Sequence, residues 1–494
     1  MLDKDERRTP LRLAGLALGP VVFLVLLMFP SPELLGSEAW RVIATFAWML
    51  TWWLTEAVPI PATAVLPIIL LPGLGVSDIR DVASPYASPV IFLFLGGFLL
   101  ALAIEKWNLH LRISLAIIRF IGTRADRVIA GFMLASALLS MWISNTATAV
   151  MMLPIALSVI EIMFKGKPFN RMSRGERNFS LSLLLSIAYS ANIGGTATLI
   201  GTPPNAVLAG LSEQYYDTSL DFVKWMFIGV PFMLVMLASA WLLLVKVLFP
   251  SKIGRSGDAV TVVNQKYAEI GKMSRPEKRV AGVFLFTAFC WIFKIQINAL
   301  FAEINAHIPI GIGTLSDHSI AMLGGLLLFI VSSSNGEPLL KWKDTRRLPW
   351  GILLLFGGGL TMAASFEKVG IINLIGEYIA DTAHLSVFVL LLMLTFVSLS
   401  LTEVMSNVAL ITAFIPVVFG IANGLGIEPM MLAIPVTLAS SCAFTMPIST
   451  PLNAVVFSSG YIQVHHMLKA GALLNVFAIM LTVLVGYYLV GWVF

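Results

Sequence analysis

The sequence has few charged residues and almost no cysteine. Aspartate, glutamate, lysine and arginine together make up 12% of the 494 residues, whereas hydrophobic residues make up 58%. A water-soluble protein of this length needs far more polar surface, so the composition excludes an ordinary soluble fold. The two cysteines, Cys290 and Cys442, stand in apolar runs. Neither a structural disulfide nor thiol chemistry is therefore expected.

Missing motifs exclude further classes of function. No phosphate-binding loop of the form G-x-x-x-x-G-K-[ST] occurs, which argues against an ATP-driven pump. No nucleophile–base pair or metal-ligating cluster stands in the apolar stretches, so an enzyme is not expected. The net charge of +5 does not indicate a nucleic-acid partner, because the basic residues lie in short connectors.

Apolar segments of nearly membrane-spanning length recur along the whole chain. Their spacing predicts about ten to twelve membrane segments, so we expect a multi-pass protein of the cell membrane. The connectors at 4–8, 165–177, 246–279 and 341–347 are basic, which predicts cytoplasmic loops and a cytoplasmic N-terminus. The apolar run at 13–28 has no cleavage site after it, so we expect a retained first span.

The chain contains an internal repeat. At an offset of 262 residues, Ser140 matches Thr402 and Ser144-Asn145 matches Ser406-Asn407. Further on the offset is 248, where Thr202-Pro203 matches Thr450-Pro451. Internal duplication is typical of secondary transporters, whose substrate sites form where the two repeats meet.

The repeat divides the chain into four parts. We predict a cytoplasmic tail and first membrane helix at 1–38, a first repeat at 39–249, a polar cytoplasmic linker at 250–279 and a second repeat at 280–494.

Four polar or Gly/Pro-interrupted stretches occur at membrane depth, at 144–148, 194–205, 406–408 and 445–453. In hydrocarbon every backbone polar group needs a partner, so such stretches mark cavities or protein-lined sites. They supply Ser, Thr and Asn oxygens and no lysine or arginine. Oxygen ligands suit hard monovalent cations, whereas transition metals prefer Cys or His. We therefore predict one cation site per half, formed by Ser140, Ser144 and Asn145 in the first and by Thr402, Ser406 and Asn407 in the second.

Each motif also fits an ordinary structural role. A Ser-Asn pair can make an interhelical hydrogen bond, a Gly-Gly pair can allow close packing, and Thr-Pro-x-Asn can be a simple turn. Their recurrence in both halves, in the same order, favours the paired site. Glu403, next to Thr402, fits equally a cation or proton ligand and a carboxylate paired with a neighbouring helix.

These residues carry a family resemblance that covers the chain from about residue 40 to its end. The chain resembles the divalent anion:sodium symporters, which transport succinate, malate, fumarate and related anions. The resemblance rests on Ser144-Asn145-Thr146, Ser406-Asn407-Val408, Gly201-Thr202-Pro203-Pro204-Asn205 and Ser449-Thr450-Pro451-Leu452-Asn453. One departure is Val408, where the strict pattern has threonine, so one substrate hydrogen bond would be missing.

The resemblance implies an all-α polytopic membrane fold of two inverted-topology repeats. Each repeat would have a re-entrant hairpin, at about 87–105 and 349–367, and a broken helix, around 144–148 and 405–409. The family forms homodimers with scaffold and transport domains and moves substrate by an elevator-like shift.

The resemblance also implies site residues. The substrate would contact Asn145, Thr146, Thr202, Pro203, Ser406, Asn407, Val408, Thr450 and Pro451. One sodium ion would bind Ser140, Ser144, Asn145 and the Gly201 carbonyl, and a second would bind Thr402, Asn407 and the carbonyls of Met405 and Ser449.

The expected function is symport of C4-dicarboxylates with Na⁺, in which sodium binds first and completes the pocket. Three alternatives remain open at this point. They are sodium-independent dicarboxylate exchange on the same fold, a citrate or sulfate carrier, and an anion channel.

Overall fold

The described residues form helices throughout, with one isolated β-bridge between Ser332 and Pro338. The computed structural model describes residues 9–33, 35–121, 124–216, 220–251, 253, 257–307, 311, 313–382 and 385–493. The predicted all-α class is confirmed. The basic segment 4–8 lies outside the described residues. Both cysteines are free and buried.

The first half contains twelve α-helices before the linker. They are α1 Pro10–Met28, α2 Ser37–Thr55, α3 Ile60–Thr63, α4 Leu66–Gly73, α5 Ile79–Ala83, α6 Pro89–Lys106, α7 Leu109–Ile121, α8 Ala125–Ser140, α9 Asn145–Met163, α10 Arg174–Gly195, α11 Pro203–Tyr216 and α12 Phe222–Leu242, which continues as a π-helix Leu243–Leu248.

The remaining helices belong to the linker and the second half. They are α13 Gly257–Ile270, α14 Arg275–Ile292, α15 Lys294–His307, α16 Asp317–Ile330, α17 Trp350–Lys368, α18 Ile371–Thr382, α19 Val387–Thr402, α20 Asn407–Leu425, α21 Pro429–Ser440, α22 Pro451–Phe457, α23 Val464–Leu484, followed by a π-helix Val485–Val490, and α24 Gly491–Val493. Three 3₁₀ segments, Ser84–Ala87, Phe169–Arg171 and Trp342–Arg347, lie between helices.

Helices α9 and α10 run antiparallel. The first residue of α9, Asn145, touches the last residue of α10, because a Cβ on Gly195 would lie 2.6 Å from Asn145 Oδ1. At the other end, the ring of Phe164 after α9 packs against Phe179 near the start of α10, with centroids 5.8 Å apart.

Helix α8 runs along α10 in the same direction. It packs along the length of α10, and the end of α8 meets the end of α10, where a Cβ on Gly194 would lie 2.3 Å from the Ala137 carbonyl oxygen. Since α8 is parallel and α9 antiparallel to α10, α8 and α9 form a helical hairpin. We call it hairpin 1; its tip is residues 141–144 and its base is the opposite end.

Helices α19 and α20 form the equivalent hairpin 2. The Ser398 hydroxyl donates to the Val436 carbonyl at 2.8 Å and the Thr402 hydroxyl to the Ser440 carbonyl at 2.6 Å, so α19 is parallel to α21. Helix α20 packs along α21 and ends three residues before α21 begins, so it runs the other way. The tip of hairpin 2 is residues 403–406.

The predicted positions of the hairpins are wrong. Residues 87–105 and 349–367 coincide with α6 and α17, which are continuous helices of 18 and 19 residues. The hairpin positions implied by the resemblance are therefore not hairpins, and the glycines in these helices permit close packing. A Cβ on Gly96 would lie 2.4 Å from the Ala321 backbone, and one on Gly358 would lie 2.2 Å from the Ala64 carbonyl oxygen. The stretches 144–148 and 405–409, predicted as broken helices, lie at or next to the hairpin tips.

The broken helices are α10–α11 and α21–α22, interrupted at 196–202 and 441–450. Helix α11 ends at the base of hairpin 2, where the Tyr216 hydroxyl donates to Asn423 Oδ1 at 2.9 Å. The chain after α22 reaches the base of hairpin 1, where Tyr461 packs on Phe169 at 5.4 Å. Each broken helix starts at the base of its own hairpin, so the two cross the protein in opposite directions.

Seven helices of the described chain are long and apolar enough to span a membrane, or up to eight if the bent pair α14–α15 is one span. Four shorter apolar helices, Ile60–Gly73, Asp317–Ile330, Val387–Thr402 and Pro429–Ser440, add to these. The protein is therefore a multi-pass membrane protein, in which seven or eight helices of the described chain qualify as spans, whereas ten to twelve membrane segments were expected.

Candidate functional site

The tip of hairpin 1 collects three of the predicted sodium ligands. Ser140 is the last residue of α8 and is fully buried, and its hydroxyl donates to Asn145 Oδ1 at 2.5 Å. Ser144 is the N-cap of α9, where its hydroxyl accepts a hydrogen bond from the Ala147 N–H at 3.3 Å. Serine and asparagine favour this position because their side chains satisfy free N–H groups at a helix start.

The break between α10 and α11 lies directly against this tip. A Cβ on Gly201 would lie 2.4 Å from the Gly195 carbonyl oxygen, and Gly195 itself touches Asn145. The Thr198 hydroxyl donates to the Met141 carbonyl at 2.5 Å, which ties the break to the tip. The predicted Gly201 ligand is thus brought next to the Ser140–Asn145 pair.

The tip of hairpin 2 repeats this arrangement. Thr402 is buried at the end of α19, and its hydroxyl lies 2.7 Å from Asn407 Oδ1, as Ser140 lies next to Asn145. Ser406 is the N-cap of α20, and Met405 stands in the turn before it. The matching contacts in both halves support one oxygen-lined site per hairpin.

Glu403 adds a carboxylate that the first half lacks, since the matching position is Met141. One oxygen of Glu403 accepts hydrogen bonds from the backbone N–H groups of Phe444 and Thr445, both at 3.1 Å, and from the Asn475 amide at 2.8 Å. The other accepts from the Ser449 hydroxyl at 2.5 Å. Glu403 therefore anchors the tip of hairpin 2 to the α21–α22 break and to α23, which agrees with the reading of a carboxylate paired to its neighbours.

Two asparagines that were not among the predicted ligands brace the breaks. The Asn205 amide donates to the Thr198 carbonyl at 2.8 Å, and the Asn453 amide donates to the carbonyls of Ala443 and Met446 at 3.0 and 3.1 Å. Both amides are fully buried. Their recurrence at the 248-residue offset was the signal that would have identified them as structural partners of the site.

The end of α10 meets the second break in the interior. The Asn192 amide of α10 donates to the carbonyl of Ala443 in the second break at 3.3 Å. Helix α22, which begins at Thr450-Pro451, packs on α9, and helix α11, which begins at Thr202-Pro203, packs on α20. The helix that follows each break therefore packs on the hairpin of the other half.

Four helices begin at these tips and breaks: α9 at Asn145, α11 at Pro203, α20 at Asn407 and α22 at Pro451. A helix start carries about half a positive charge and free N–H groups, and it attracts anions. The tips and breaks contain no lysine or arginine, and Glu403 is their one formally charged side chain. Asn145, Thr146, Asn407 and Val408 are partly exposed, whereas Thr202 and Thr450 are buried.

The site can hold small cations through oxygen atoms and can meet an anion with helix starts and amides. Hydroxyl, amide and carbonyl oxygens are the ligands of weakly bound hard cations. The partly exposed amides at the hairpin tips leave donors for a carboxylate. Substrate and cation would then share the same two tips.

Comparison with known proteins places this arrangement in context. Residues 11–494 match a family model described as the sodium:sulfate symporter transmembrane region. The sodium-dependent dicarboxylate transporter SdcS of Staphylococcus saprophyticus is 37% identical over 485 residues, which are 97% of this chain and 91% of that protein. SdcS of Staphylococcus aureus strain RF122 is 37% identical over 492 residues, 98% of this chain and 93% of that protein.

A solved structure shares the fold at low sequence identity. The YdaH transporter of Alcanivorax borkumensis, described as having an unusual topology, superimposes with a TM-score of 0.54 at 15% identity. The match covers 98% of this chain and 97% of that one. At this identity the likeness shows the fold alone.

Proposed function

The chain belongs to the sodium:sulfate symporter family, the divalent anion:sodium symporters, and from this premise we propose that it carries C4-dicarboxylates such as succinate, malate and fumarate together with sodium. The relatives at 37% identity are sodium-dependent dicarboxylate transporters, and the match covers 91% and 93% of their length. That name supports the substrate class, and the site supports it on chemical grounds.

The observation that carries the proposal is the pair of hairpin tips built from oxygen ligands and helix starts. A dicarboxylate has two negative groups, and the tips and breaks offer no lysine or arginine to neutralise them. Sodium at Ser140–Asn145 and at Thr402–Asn407 would supply the positive charge next to the helix starts. Binding of sodium before the dianion follows, because without the cations the pocket has too little positive charge.

The substrate is proposed to bridge the two tips. One carboxylate would meet Asn145 and Thr146 with Thr202 and Pro203 beside them, and the other would meet the second half. In that half the contacting residues are Ser406, Asn407, Val408, Thr450 and Pro451. Asn192 near the end of α10 donates to Ala443 of the second break, which supports a single pocket shared by both repeats.

Transport is proposed to follow an elevator-like shift in a homodimer. Both hairpins bring their tips to the interior, and each tip is hydrogen-bonded to a break. Such a unit holds its site together while it moves, which favours displacement of the unit as a whole. The mass of the purified protein in detergent, measured by light scattering, tests the dimer.

Uptake of labelled succinate by proteoliposomes tests the function. We expect accumulation under an inward sodium gradient and none when potassium replaces sodium, with malate and fumarate competing. Uptake that ignores sodium but requires internal dicarboxylate would establish exchange instead. Competition by citrate or sulfate, without competition by malate, would reassign the substrate.

A further inference from the structure

The N-terminal end of α12 carries an ion cluster that no part of the transport site uses. The basic loop 165–177 and residues 124–127 lie at the base of hairpin 1, and the cluster lies at the opposite end of α12. It contains Lys294, which stands immediately after the 75° bend between α14 and α15, together with Asp221 and Asp317.

Two groups of helices meet at this cluster. Helices α8, α9, α10 and α12 pack on one another, and we call them the hairpin unit. Helices α6, α14, α15 and α16 pack on one another, and we call them the frame. Asp221 begins the hairpin unit's α12, whereas Lys294 and Asp317 begin the frame's α15 and α16.

Lys294 bridges the two groups. Its ammonium contacts Asp221 of the hairpin unit and lies 2.9 Å from Asp317 of the frame. The side chains of Lys294 and Asp317 are only 17% and 8% exposed. Opposite charges at this distance attract strongly away from water, and removing one partner leaves a buried charge uncompensated.

The two carboxylates also hold the first turn of α12. Asp221 accepts hydrogen bonds from the N–H groups of Val223 and Lys224 at 2.9 and 3.1 Å, and Asp317 accepts from the Phe222 N–H at 2.9 Å. Burial raises the pKa of Asp221, but the hydrogen bonds from Lys294 and from these N–H groups outweigh it, so the pKa lies below its ordinary value. The carboxylate is therefore ionised opposite Lys294.

An aromatic stack extends the cluster to the tip of hairpin 1. Phe222 stacks on Trp291 of the frame with ring centroids 4.4 Å apart, and on Trp142 of the tip at 6.1 Å. Trp142 also packs edge-on against Phe284 of α14 at 4.8 Å. Trp142 is two residues before Ser144 in the same tip. Separation of the cluster would therefore displace residues next to the proposed cation site.

A cavity of about 230 Å³ lies beside the cluster. It is lined by Ala209 and Glu213 of α11, by Leu220, and by Lys294, Asp317 and His318 of the frame. Across it, His318 Nε2 and Glu213 Oε2 are 4.0 Å apart. Helix α11 continues α10 of the hairpin unit beyond the first break, so the cavity lies between this continuation and the frame. The contact there is polar and incompletely filled, which suits an interface that opens.

We propose that Lys294, with Asp221 and Asp317, is a lock that holds the hairpin unit against the frame in this conformation and opens when the unit moves. The inference rests on the proposed function, in which the hairpin unit shifts. Ion pairs suit a contact that opens, because water can hydrate each charged partner after separation. Separation of an apolar contact would instead expose apolar surface to water.

The test is the reactivity of a reporter cysteine on the purified full-length protein in lipid nanodiscs, without sodium or dicarboxylate. Ala209 of α11 is 3% exposed and lines the cavity, so Ala209→Cys reports opening of this cavity when the hairpin unit and its continuation α11 separate from the frame. We expect Lys294→Met to raise the rate of maleimide labelling at least about tenfold, since loss of a buried partner shifts such an equilibrium by more than one decade. The same chains without Ala209→Cys give the background from the native cysteines.

Two variants decide whether the effect is electrostatic and local. Lys106→Met removes a similar half-buried lysine whose ammonium lies 2.7 Å from the Asp344 carboxylate. This ion pair does not involve the hairpin unit, so the substitution should leave labelling unchanged. A triple variant adds Asp221→Asn and Asp317→Asn to Lys294→Met. The two amides keep acceptors for the backbone N–H groups but carry no charge, so this variant should restore slow labelling.

Three results would overturn the lock: parental labelling in a folded Lys294→Met variant, an equal rise in Lys106→Met, or no restoration in the triple variant. The result is separable from the transport assay. A chain that labels as expected but shows no sodium-driven uptake loses the proposed function and keeps the lock.

Discussion

Asn145 and Asn407 occupy equivalent places in unequal surroundings. Each follows an N-cap serine and lies against the last hydroxyl of the preceding helix. The Ser140 hydroxyl donates to Asn145 Oδ1, and the Thr402 hydroxyl oxygen lies 2.7 Å from Asn407 Oδ1. The first asparagine lies on Gly195. The second follows the charged anchor Glu403 by four residues. Single substitutions therefore test the two tips separately.

Removing either amide is expected to abolish transport. Asn145→Ala and Asn407→Ala each delete a side-chain oxygen of one cation site and an amide donor for a carboxylate. Sodium-driven succinate uptake should fall to background in both, while the proteins still elute as the parent does on size exclusion. Asn178→Ala, whose amide bonds the Pro250 carbonyl away from the tips, is the control and should transport normally. Full activity in either tip variant removes that residue from the site.

The difference between Thr146 and Val408 is expected to affect substrate affinity. Val408→Thr adds a hydroxyl with little change in shape, and Thr146→Val removes the matching one. A hydrogen bond contributes about 0.5–1.5 kcal/mol, so we expect changes in KM of up to about tenfold, in opposite directions. Competition by malate and succinate in the uptake assay measures this. Equal affinities in all three proteins would show that neither position contacts the substrate.

Gly195 is expected to affect sodium binding at the first proposed cation site only by leaving room for the Asn145 side chain. A Cβ there would lie 2.6 Å from Asn145 Oδ1, closer than atoms can approach, so Gly195→Ala must displace the asparagine. We expect a higher sodium concentration for half-maximal uptake with little change in fold. Gly282→Ala on α14, where a Cβ meets nothing within 4 Å, is the matched control. Unchanged sodium dependence in Gly195→Ala would separate Asn145 from sodium binding.

At the scale of helices, the repeat and the polar stretches predicted where the chain is interrupted but not how it turns. Ser144-Asn145 and Ser406-Asn407 start helices, as their capping preference predicts. Whether the chain then continues or reverses depends on packing against α10 and α21, which no local pattern contains. The hairpins that the resemblance placed on α6 and α17 were wrong for the same reason. The glycines there serve close packing on Ala321 and Ala64, and only those neighbours show it.

Glu403 shows how far one element depends on another. Its carboxylate accepts from Phe444 and Thr445 of the break, from Ser449 and from Asn475 of α23. Glu403→Ala leaves those donors without an acceptor, at a cost of about 1–3 kcal/mol for each that stays buried. Glu403→Gln keeps an acceptor oxygen, and the Ser449 hydroxyl can accept from the new amide.

We therefore expect thermal stability in the order parent, Glu403→Gln, Glu403→Ala. The fraction of protein remaining monodisperse after heating, followed by fluorescence-detected size exclusion, measures it. Because stabilities are compared without sodium, the ranking does not depend on transport. If Glu403→Ala were as stable as the parent, the carboxylate would not anchor the tip.

At the scale of the whole molecule, duplication would explain why the two proposed cation sites share one substrate. The broken helices cross in opposite directions, so the helix after each break packs on the hairpin of the other half. Family membership and the repeat could be predicted from the sequence, because the Ser-Asn and Thr-Pro motifs occur in the same order in both halves. The crossing itself was accessible only through the resemblance, since inverted orientation leaves no trace in residue spacing.

The number of sites makes a prediction about charge. Moving a dianion into a compartment that is negative by about 100 mV costs roughly 4.6 kcal/mol, and two sodium ions moving with it cancel that cost. The described tips provide two oxygen-lined sites, at Ser140–Asn145 and Thr402–Asn407. We therefore expect the rate of succinate uptake at a fixed sodium gradient to be the same with and without a valinomycin-induced potassium potential, inside negative. The ratio of labelled sodium to labelled succinate taken up should be two. Stimulation of uptake by the potential, together with a ratio near three, would mean that a further cation moves through a site other than the two hairpin tips.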